Sequence, residues 1–394
     1  MSSCSSSFSR SEIEARIGSL RRRLNEQGID GALLLSATEL YYYSGIGLEG
    51  AVYIPVDGAP VHLVKRNVAL ARLHSAIPIV QSFGKQSKLF ETLGIKSETR
   101  IAVEADLLPF SLVSFLQSKA GRTQLVDGSF IFRHQRSVKS ESEIELIEKA
   151  ANIVDRSFDF CTGIAKPNMT EVELAAQLDC WLLENGHGGF ITTRAYGFLM
   201  PQYSYVVSST ASALNSQFTP VSSGGLSLKY PFGPSHQKIG RDSPFLVDTC
   251  GNCQGYISDT TRTFVLGRFD PETRSQLDSL DQIRLLIQKG LQPGMNLGTL
   301  YGRVLALSRE LGIEEHFMGD GSDKVSFVGH GVGLELDDLP VFYSGGPDLE
   351  PGNVVACEPK LVFLGKKILG IEDTFAVTEA GCSRLSRAPD RYEI

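Results

Sequence analysis

Five side chains have the types and the sequence surroundings of metal ligands: Asp248, Asp259, His330, Glu358 and Glu372. The first two lie eleven residues apart in β-prone sequence, and Gly251-Asn252 between them predicts the turn of a β-hairpin. On paired strands the two carboxylates would be near enough to share one ion. In a buried sheet they would repel each other unless a cation lay between them or one took a proton. For this pair alone, a surface hairpin with two solvated aspartates is the alternative.

The other three residues are set in apolar or glycine-flanked sequence. His330 lies between glycines, which leaves its imidazole uncrowded, although a satisfied core histidine is the alternative for this residue. Glu358 ends the apolar run Val354–Cys357, and Glu372 lies within a β-prone segment. A buried carboxylate without a partner would cost on the order of several kcal/mol or stay protonated. A metal ion would remove this cost, and an ion pair with Lys or Arg is the competing remedy.

Taken together, the five residues predict a centre of two metal ions. Four carboxylates and one neutral imidazole carry a charge of −4, which two divalent cations would balance. Oxygen ligands with one nitrogen favour Mn²⁺, Co²⁺, Fe²⁺ or Zn²⁺. Two such ions about 3.5–4 Å apart, bridged by carboxylates, could hold a hydroxide and polarise a carbonyl group.

The elements that must position these residues predict an α/β (α+β) protein. Strands and helices alternate through the first part of the chain, which indicates a mixed-sheet domain over 11–132 after a Ser-rich tail over 1–10. A capping box at Ser140-Glu143 begins a long helix, and a second begins at Thr170. We therefore predict that 133–394 form the domain that carries the ligands.

Composition excludes several classes of protein. The 394 residues carry a net charge of −7, which argues against nucleic acid or an anionic membrane as the main partner. No apolar run reaches about 18 residues, so no membrane span is predicted. The Ser-rich start lacks the apolar stretch of a signal peptide, and the scattered cysteines predict reduced thiols and a cytoplasmic protein. Cys250 and Cys253 have no second CxxC to complete a zinc site, so we interpret them as hairpin thiols.

The motifs around the ligands resemble the creatinase/aminopeptidase P/methionine aminopeptidase superfamily, which has the pita-bread fold. The resemblance rests on Asp248-x₁₀-Asp259 followed by Thr-Thr-Arg-Thr-Phe, on Gly329-His330-Gly331, on Glu358-Pro359 and on Glu372-Asp373-Thr374. The first 130 residues are similar in plan to the N-terminal domain of the creatinase and prolidase branch. The resemblance implies a metallopeptidase of the Xaa-Pro aminopeptidase or dipeptidase type, acting on short peptides.

The resemblance also implies a role for each ligand. Asp248 would chelate one ion, His330 and Glu358 would bind mainly the other, and Asp259 and Glu372 would bridge. Glu358 and His330 would be the catalytic residues, with a bridging hydroxide as nucleophile and Glu358 as general base. A homodimer is implied as well, with the N-terminal domain reaching the partner's active-site mouth.

Several residues depart from the proline-specific pattern. No histidine occurs in Ser208–Ser216, where the family has one that contacts substrate, and Ser326, Asp337 and Gly370 stand where it has two further histidines and an arginine. Candidate substrate contacts are therefore His236, His187 and Asp337. These departures leave two alternatives: a metal-dependent hydrolase of a non-peptide or modified amino-acid C–N bond, and a non-catalytic binding protein. Because the ligand set is complete, a metal-free mechanism like that of creatinase is disfavoured.

Overall fold

The computed structural model describes residues 8–208, 219, 220 and 222–394. These residues form two units, Met1–Arg136 and Ser137–Ile394. The segment Ser208–Ser216, in which the sequence lacks the expected histidine, lies outside the described residues except for Ser208. None of the described helices combines the length and the apolar character that a membrane crossing requires.

The first unit is a mixed six-stranded sheet with helices. Its elements are α1 Arg10–Glu26, β1 Gly31–Leu34, α2 Ala37–Ser44, β2 Gly50–Pro55, β3 Val61–Val64, α3 Val68–His74, β4 Ile79–Ser82, α4 Leu89–Thr92, β5 Arg100–Val103, α5 Phe110–Lys119, β6 Gln124–Asp127 and α6 Ser129–Ser137. The strand order is β4-β3-β2-β1-β5-β6. The β1–β2 and β2–β3 pairs are antiparallel and the other three are parallel, so the predicted mixed sheet is confirmed.

Two helices of this unit differ from the sequence-based prediction. The tyrosines of Tyr41–Gly45 predict a strand or turn, but most of this segment lies in α2, because Ser36 caps the helix by accepting the Glu39 N–H and Gly45 ends it in the left-handed conformation. These end signals outweigh the β propensity of the tyrosines. The polar sequence of Phe132–Arg136 predicts no helix, but the segment lies within α6.

The second unit contains the predicted ligands. Its elements are α7 Glu141–Ile164, α8 Glu171–Glu184, β7 Ser204–Ser208, β8 Pro244–Cys253, β9 Tyr256–Val265, α9 Pro271–Gly290, α10 Leu297–Glu310, β10 Gly319–Asp320, β11 Asp323–Lys324, β12 Phe327–Gly331, β13 Asp338–Tyr343, β14 Val354–Cys357, β15 Lys360–Phe363, β16 Lys367–Gly370, β17 Asp373–Thr378, β18 Gly381–Arg384 and β19 Arg391–Glu393. Both predicted capping boxes are present, at Ser140 and at Thr170. The strands form sheets ordered β19-β9-β8-β7 and β13-β12-β14-β17-β18, with a separate β15–β16 hairpin.

The hairpin β8–β9 is present, but its predicted turn at Gly251-Asn252 is wrong. Both residues belong to β8, and the chain turns at Gln254-Gly255, which have positive φ angles of 54° and 93°. Gly251 serves helix packing instead, because a Cβ there would lie 2.4 Å from the carbonyl oxygen of Ala150 in α7. The register pairs Asp259 with Cys250, two residues beyond Asp248. The two aspartates therefore lie diagonally on one face of the sheet.

The two larger sheets of this unit are tied together next to the ligands. The Thr374 hydroxyl in β17 accepts the N–H of Asp259 at 3.0 Å and donates to its carbonyl oxygen at 2.9 Å. The backbone N–H of Glu372 donates to Thr261 O of β9 at 3.0 Å. Within the five-stranded sheet, the backbone N–H of Glu358 donates to Val328 O at 3.0 Å. Apolar residues of α9, α10 and the five-stranded sheet form the adjoining core, which holds these strand ends in place.

Candidate active site

The structure brings all five predicted ligands to one place in the second unit. Asp248, Asp259 and His330 project from β8, β9 and β12, whereas Glu358 and Glu372 lie just before β15 and β17. Asp259, Glu358 and Glu372 are 6%, 3% and 1% exposed, respectively. A cavity of about 370 Å³ opens onto four of the five, all except Glu372. Buried carboxylates from separate strands therefore converge on the end of an accessible cavity.

Three carboxylate oxygens surround the imidazole of His330. Its Nε2 lies 3.8 Å from Asp259 Oδ2, 3.8 Å from Glu358 Oε1 and 4.0 Å from Glu372 Oε1. Nδ1 lies 3.3 Å from the carbonyl oxygen of Gly331, which favours a proton on Nδ1 and a free lone pair on Nε2. Glu372 Oε1 is buried and has no hydrogen-bond partner among the described residues. Nε2 of His330 thus has three carboxylate oxygens within 4.0 Å and forms no hydrogen bond with them.

A residue that the sequence analysis did not single out occupies the other side of the cluster. The ammonium nitrogen of Lys360 lies 2.7 Å from Glu358 Oε2, 3.0 Å from Asp248 Oδ2 and 3.5 Å from Glu372 Oε2. Only 1% of Lys360 is exposed. The sequence contains one indication that Lys360 joins the cluster. Lys360 follows Glu358 by two residues in extended sequence, and alternate residues of a strand point to the same side. The ion pair considered as a remedy for buried glutamates is present here.

Burial and crowding shift the ionisation of this cluster. Burial raises the pKa of Asp259 well above its ordinary value, and the nearby carboxylates of Glu372 and Asp248 raise it further. Burial also raises the pKa of Glu372, to about 8, while the ammonium of Lys360 opposes the rise. Burial lowers the pKa of Lys360, but its three carboxylate neighbours more than reverse this and raise the pKa above the usual range. The cluster thus favours additional positive charge beyond that of Lys360.

The cavity beside the cluster is largely apolar. Its wall includes Phe198, Leu199, Phe232, Phe327 and Val341. Asp337, a predicted substrate contact, also lines the cavity, but its two carboxylate oxygens accept the backbone N–H groups of Arg194 at 2.7 Å and Ala195 at 2.6 Å. Asp337 therefore anchors the loop that carries part of the apolar wall.

The two candidate histidines lie elsewhere. His187 is buried, its Nδ1 accepts the Gly189 N–H at 3.0 Å, and its Nε2 lies 3.2 Å from the Cys250 carbonyl oxygen. His236 is exposed, and neither histidine is among the described residues that line the cavity. Ser326 is exposed as well. His187 thus fixes a loop, because both of its nitrogens already have backbone partners.

Comparison with known proteins decides the family. The model of metallopeptidase family M24 matches residues 145–379. This chain belongs to family M24. The Creatinase/Prolidase N-terminal domain matches residues 16–138, so the predicted superfamily and its two-part α/β plan are confirmed.

Relatives of this M24 chain match it along nearly its whole length. It is 25% identical over 379 residues to the Xaa-Pro dipeptidase of Pyrococcus furiosus, covering 95% of this chain and 98% of that protein. It is 26% identical to the Xaa-Pro dipeptidase of Pyrococcus horikoshii, covering 92% and 94%. The structure of the Xaa-Pro dipeptidase of Bacillus anthracis superimposes with a TM-score of 0.80 at 23% identity, covering 97% of this chain and 99% of the other. The M24 chain is therefore a metallopeptidase-class enzyme.

Family M24 implies divalent metal ions, and the donors around His330 fit one. Ligands that each lie about 2.0–2.2 Å from one ion are separated by about 3–4 Å, which matches the distances of 3.8–4.0 Å from His330 Nε2. One ligand atom each from Asp259, His330 and Glu372 lies within 4.8 Å of the others. The unpartnered Glu372 Oε1 supplies a buried acceptor that such an ion would satisfy.

The placement of His187 in the M24 domain predicts a pH effect on stability. Burial lowers the pKa of His187 to about 4, with the Cys250 carbonyl opposing the shift. The unfolded chain takes up this proton near pH 6.5, so this contribution to stability is lost as the pH falls from about 6.5 to 4. We expect the melting temperature of the wild type to fall more steeply over this interval than that of His187→Gln. Parallel curves in a pH series of thermal melts would contradict this prediction.

Proposed function

We propose that this M24 enzyme hydrolyses an amide bond in a short peptide or small amide that has an apolar group next to the scissile bond. One observation carries the proposal: the His330 donor set, which fits a metal ion, lies at an apolar cavity of about 370 Å³. The names of the two Pyrococcus relatives, both Xaa-Pro dipeptidases, support a short peptide as the substrate class.

Each residue of the cluster has a task in this reaction. His330, Asp259, Glu358 and Glu372 would hold a divalent ion, which would supply Lewis-acid activation of water and of the substrate carbonyl. Glu358 takes the proton of the attacking water on Oε1, the oxygen that faces His330, and transfers it to the leaving nitrogen. Lys360 holds Oε2 of the same carboxylate at 2.7 Å and so fixes its orientation.

The apolar wall positions the substrate and keeps bulk water away from the reacting atoms. Tyr205 and Tyr230 line it with their hydroxyls 2.8 Å apart, which partly satisfies these polar ends within the wall. Burial of an apolar substrate group there contributes binding energy in proportion to the area removed from water.

A second candidate is the hydrolysis of a non-peptide or modified amino-acid C–N bond. At the positions where the resemblance places histidines, Asp337 accepts the Arg194 and Ala195 backbone N–H groups and Ser326 is exposed, which favours a substrate other than an Xaa-Pro peptide. A panel of Xaa-Pro dipeptides, other dipeptides and N-acyl amino acids, assayed with added Mn²⁺, Co²⁺ or Zn²⁺, separates the candidates. Turnover of dipeptides supports the first proposal, turnover confined to N-acyl amino acids supports the second, and no turnover with bound metal contradicts both.

Val341 tests the apolar cavity directly. This half-buried residue of β13 lines the cavity, so Val341→Asp would place a charge against the apolar part of the substrate. We expect KM to rise by about 10-fold or more and kcat to change less. The uncharged, near-isosteric variant Val341→Thr is the control. Equal KM values for the wild type and Val341→Asp would show that substrates do not use this wall.

A further inference from the structure

Lys360 lies against Asp248, the ligand that the resemblance assigns to one of the two predicted metal ions alone. We propose that its ammonium group takes the place of that ion, so that the centre binds one divalent cation, on the His330 side, and not two. This inference rests on the proposed function in one respect, the assignment of the His330 donor set to a metal.

The two glutamates divide the cluster into two halves. Glu358 presents Oε1 to His330 Nε2 at 3.8 Å and Oε2 to Lys360 Nζ at 2.7 Å. Glu372 likewise presents Oε1 to His330 at 4.0 Å and Oε2 to Lys360 at 3.5 Å. Each carboxylate therefore reaches from the His330 donor set to Lys360, and the lysine nitrogen occupies the side on which a second metal would lie.

Asp248 completes the half that contains Lys360. Its Oδ2 lies 3.0 Å from Nζ, and Asp248 is the ligand that the resemblance gives to one metal alone. A metal bound by the same three oxygens would lie about 2.0–2.2 Å from each of them. That position coincides with the volume that Nζ fills, so the ammonium and a second ion exclude each other.

The β15–β16 hairpin leaves space for the side chain of Lys360. Lys360 is paired directly with Gly370, and a Cβ at position 370 would lie only 2.8 Å from Cγ of Lys360. Any larger residue at 370 would push the lysine stem aside. The resemblance places an arginine at this position, so the chain lacks a cation there and has one on the facing strand.

Moving Lys360 out of the cluster would be costly. Its side chain is 1% exposed, and the Leu246 methyl groups flank the Gly370 side of the hairpin, 3.5 Å and 3.6 Å from a Cβ built there. A buried ammonium separated from its carboxylates has neither water nor counter-charge, which is strongly unfavourable. Binding of a second ion to the oxygens of Asp248, Glu358 and Glu372 would first have to offset the free energy lost by displacing the Lys360 ammonium group.

Metal stoichiometry tests the inference. The full-length chain is stripped with a chelator, loaded with excess Mn²⁺ or Zn²⁺, freed of unbound ions by gel filtration and analysed for metal per chain. We expect about one ion for the wild type and about two for Lys360→Met, which keeps the length of the side chain but removes its charge. The matched control is Lys366→Met, an exposed lysine of the same hairpin, for which one ion is expected.

The wild type alone is decisive if Lys360→Met does not fold. With saturating Mn²⁺, its electron paramagnetic resonance spectrum should be that of an isolated ion, and an exchange-coupled pair would overturn the inference. Two ions or none in the wild type, or one ion in a folded Lys360→Met, would overturn it as well. None of these readouts uses turnover. A wild type that binds one ion but hydrolyses no amide would refute the proposed function and leave this inference standing.

Discussion

Glu358→Gln is expected to lower kcat for amide hydrolysis by about 10²–10⁴-fold, the usual contribution of a general base. Glutamine keeps the shape of the side chain and an oxygen that can accept from Lys360, which lies 2.7 Å from Oε2 in the wild type. It cannot take the proton from water. Glu358 is 3% exposed and opens onto the cavity, so its carboxylate lies between the His330 donor set and the space for the substrate.

Steady-state kinetics on the best substrate of the dipeptide panel measure this effect. Glu379→Gln is the matched control, because Glu379 is an exposed glutamate that follows β17 and should leave kcat unchanged. Metal content and melting temperature should be recorded for both variants, so that a loss of folding or of the ion is not mistaken for a loss of chemistry. If folded, metal-loaded Glu358→Gln had a kcat within a few-fold of the wild-type value, Glu358 would not be the general base.

The sequence was sufficient to predict which five residues converge, because each lies in a motif of its own. It was not sufficient for their arrangement. The β8–β9 turn falls at Gln254-Gly255 and not at Gly251-Asn252, because Gly251 is needed where α7 approaches the strand. Asp248 and Asp259 still lie on one face of the sheet, because Asp259 pairs with Cys250 and side chains two residues apart in a strand point to the same side. Local turn signals could not reveal the helix that competes for that glycine.

Lys360 shows a different limit of sequence-based prediction. A lysine two residues after a glutamate is ordinarily a solvated residue, and its burial depends on a partner ten positions away, Gly370, across the β15–β16 ladder. The same tertiary dependence applies to Asp337, whose carboxylate holds backbone N–H groups of a distant loop. The homodimer stays a prediction from the resemblance, as do the ligand roles that it implies.

Arg262→Met is expected to destabilise the second unit by about 3–5 kcal/mol, the usual cost of breaking a buried ion pair by removing one partner. Arg262 is fully buried in β9. It donates to Asp373 Oδ1 at 2.7 Å, to the Glu372 carbonyl at 2.6 Å and to the Pro389 carbonyl at 2.7 Å. Methionine can fill the volume but leaves these acceptors without their donor.

Denaturant unfolding, followed by intrinsic fluorescence, measures this loss. Arg268→Met is the control: Arg268 also has an ion pair, with Glu393 at 2.8 Å, but its side chain is 83% exposed, so its pair is screened by water and its removal should change stability little. Arg262→Lys should recover only part of the loss, because one ammonium cannot donate in the directions of a guanidinium fork. The prediction is contradicted if Arg262→Met lowers the free energy of unfolding no more than Arg268→Met does. In that case Arg384, whose Nε lies 2.9 Å from Asp373 Oδ2, would suffice to hold the backbone next to Glu372.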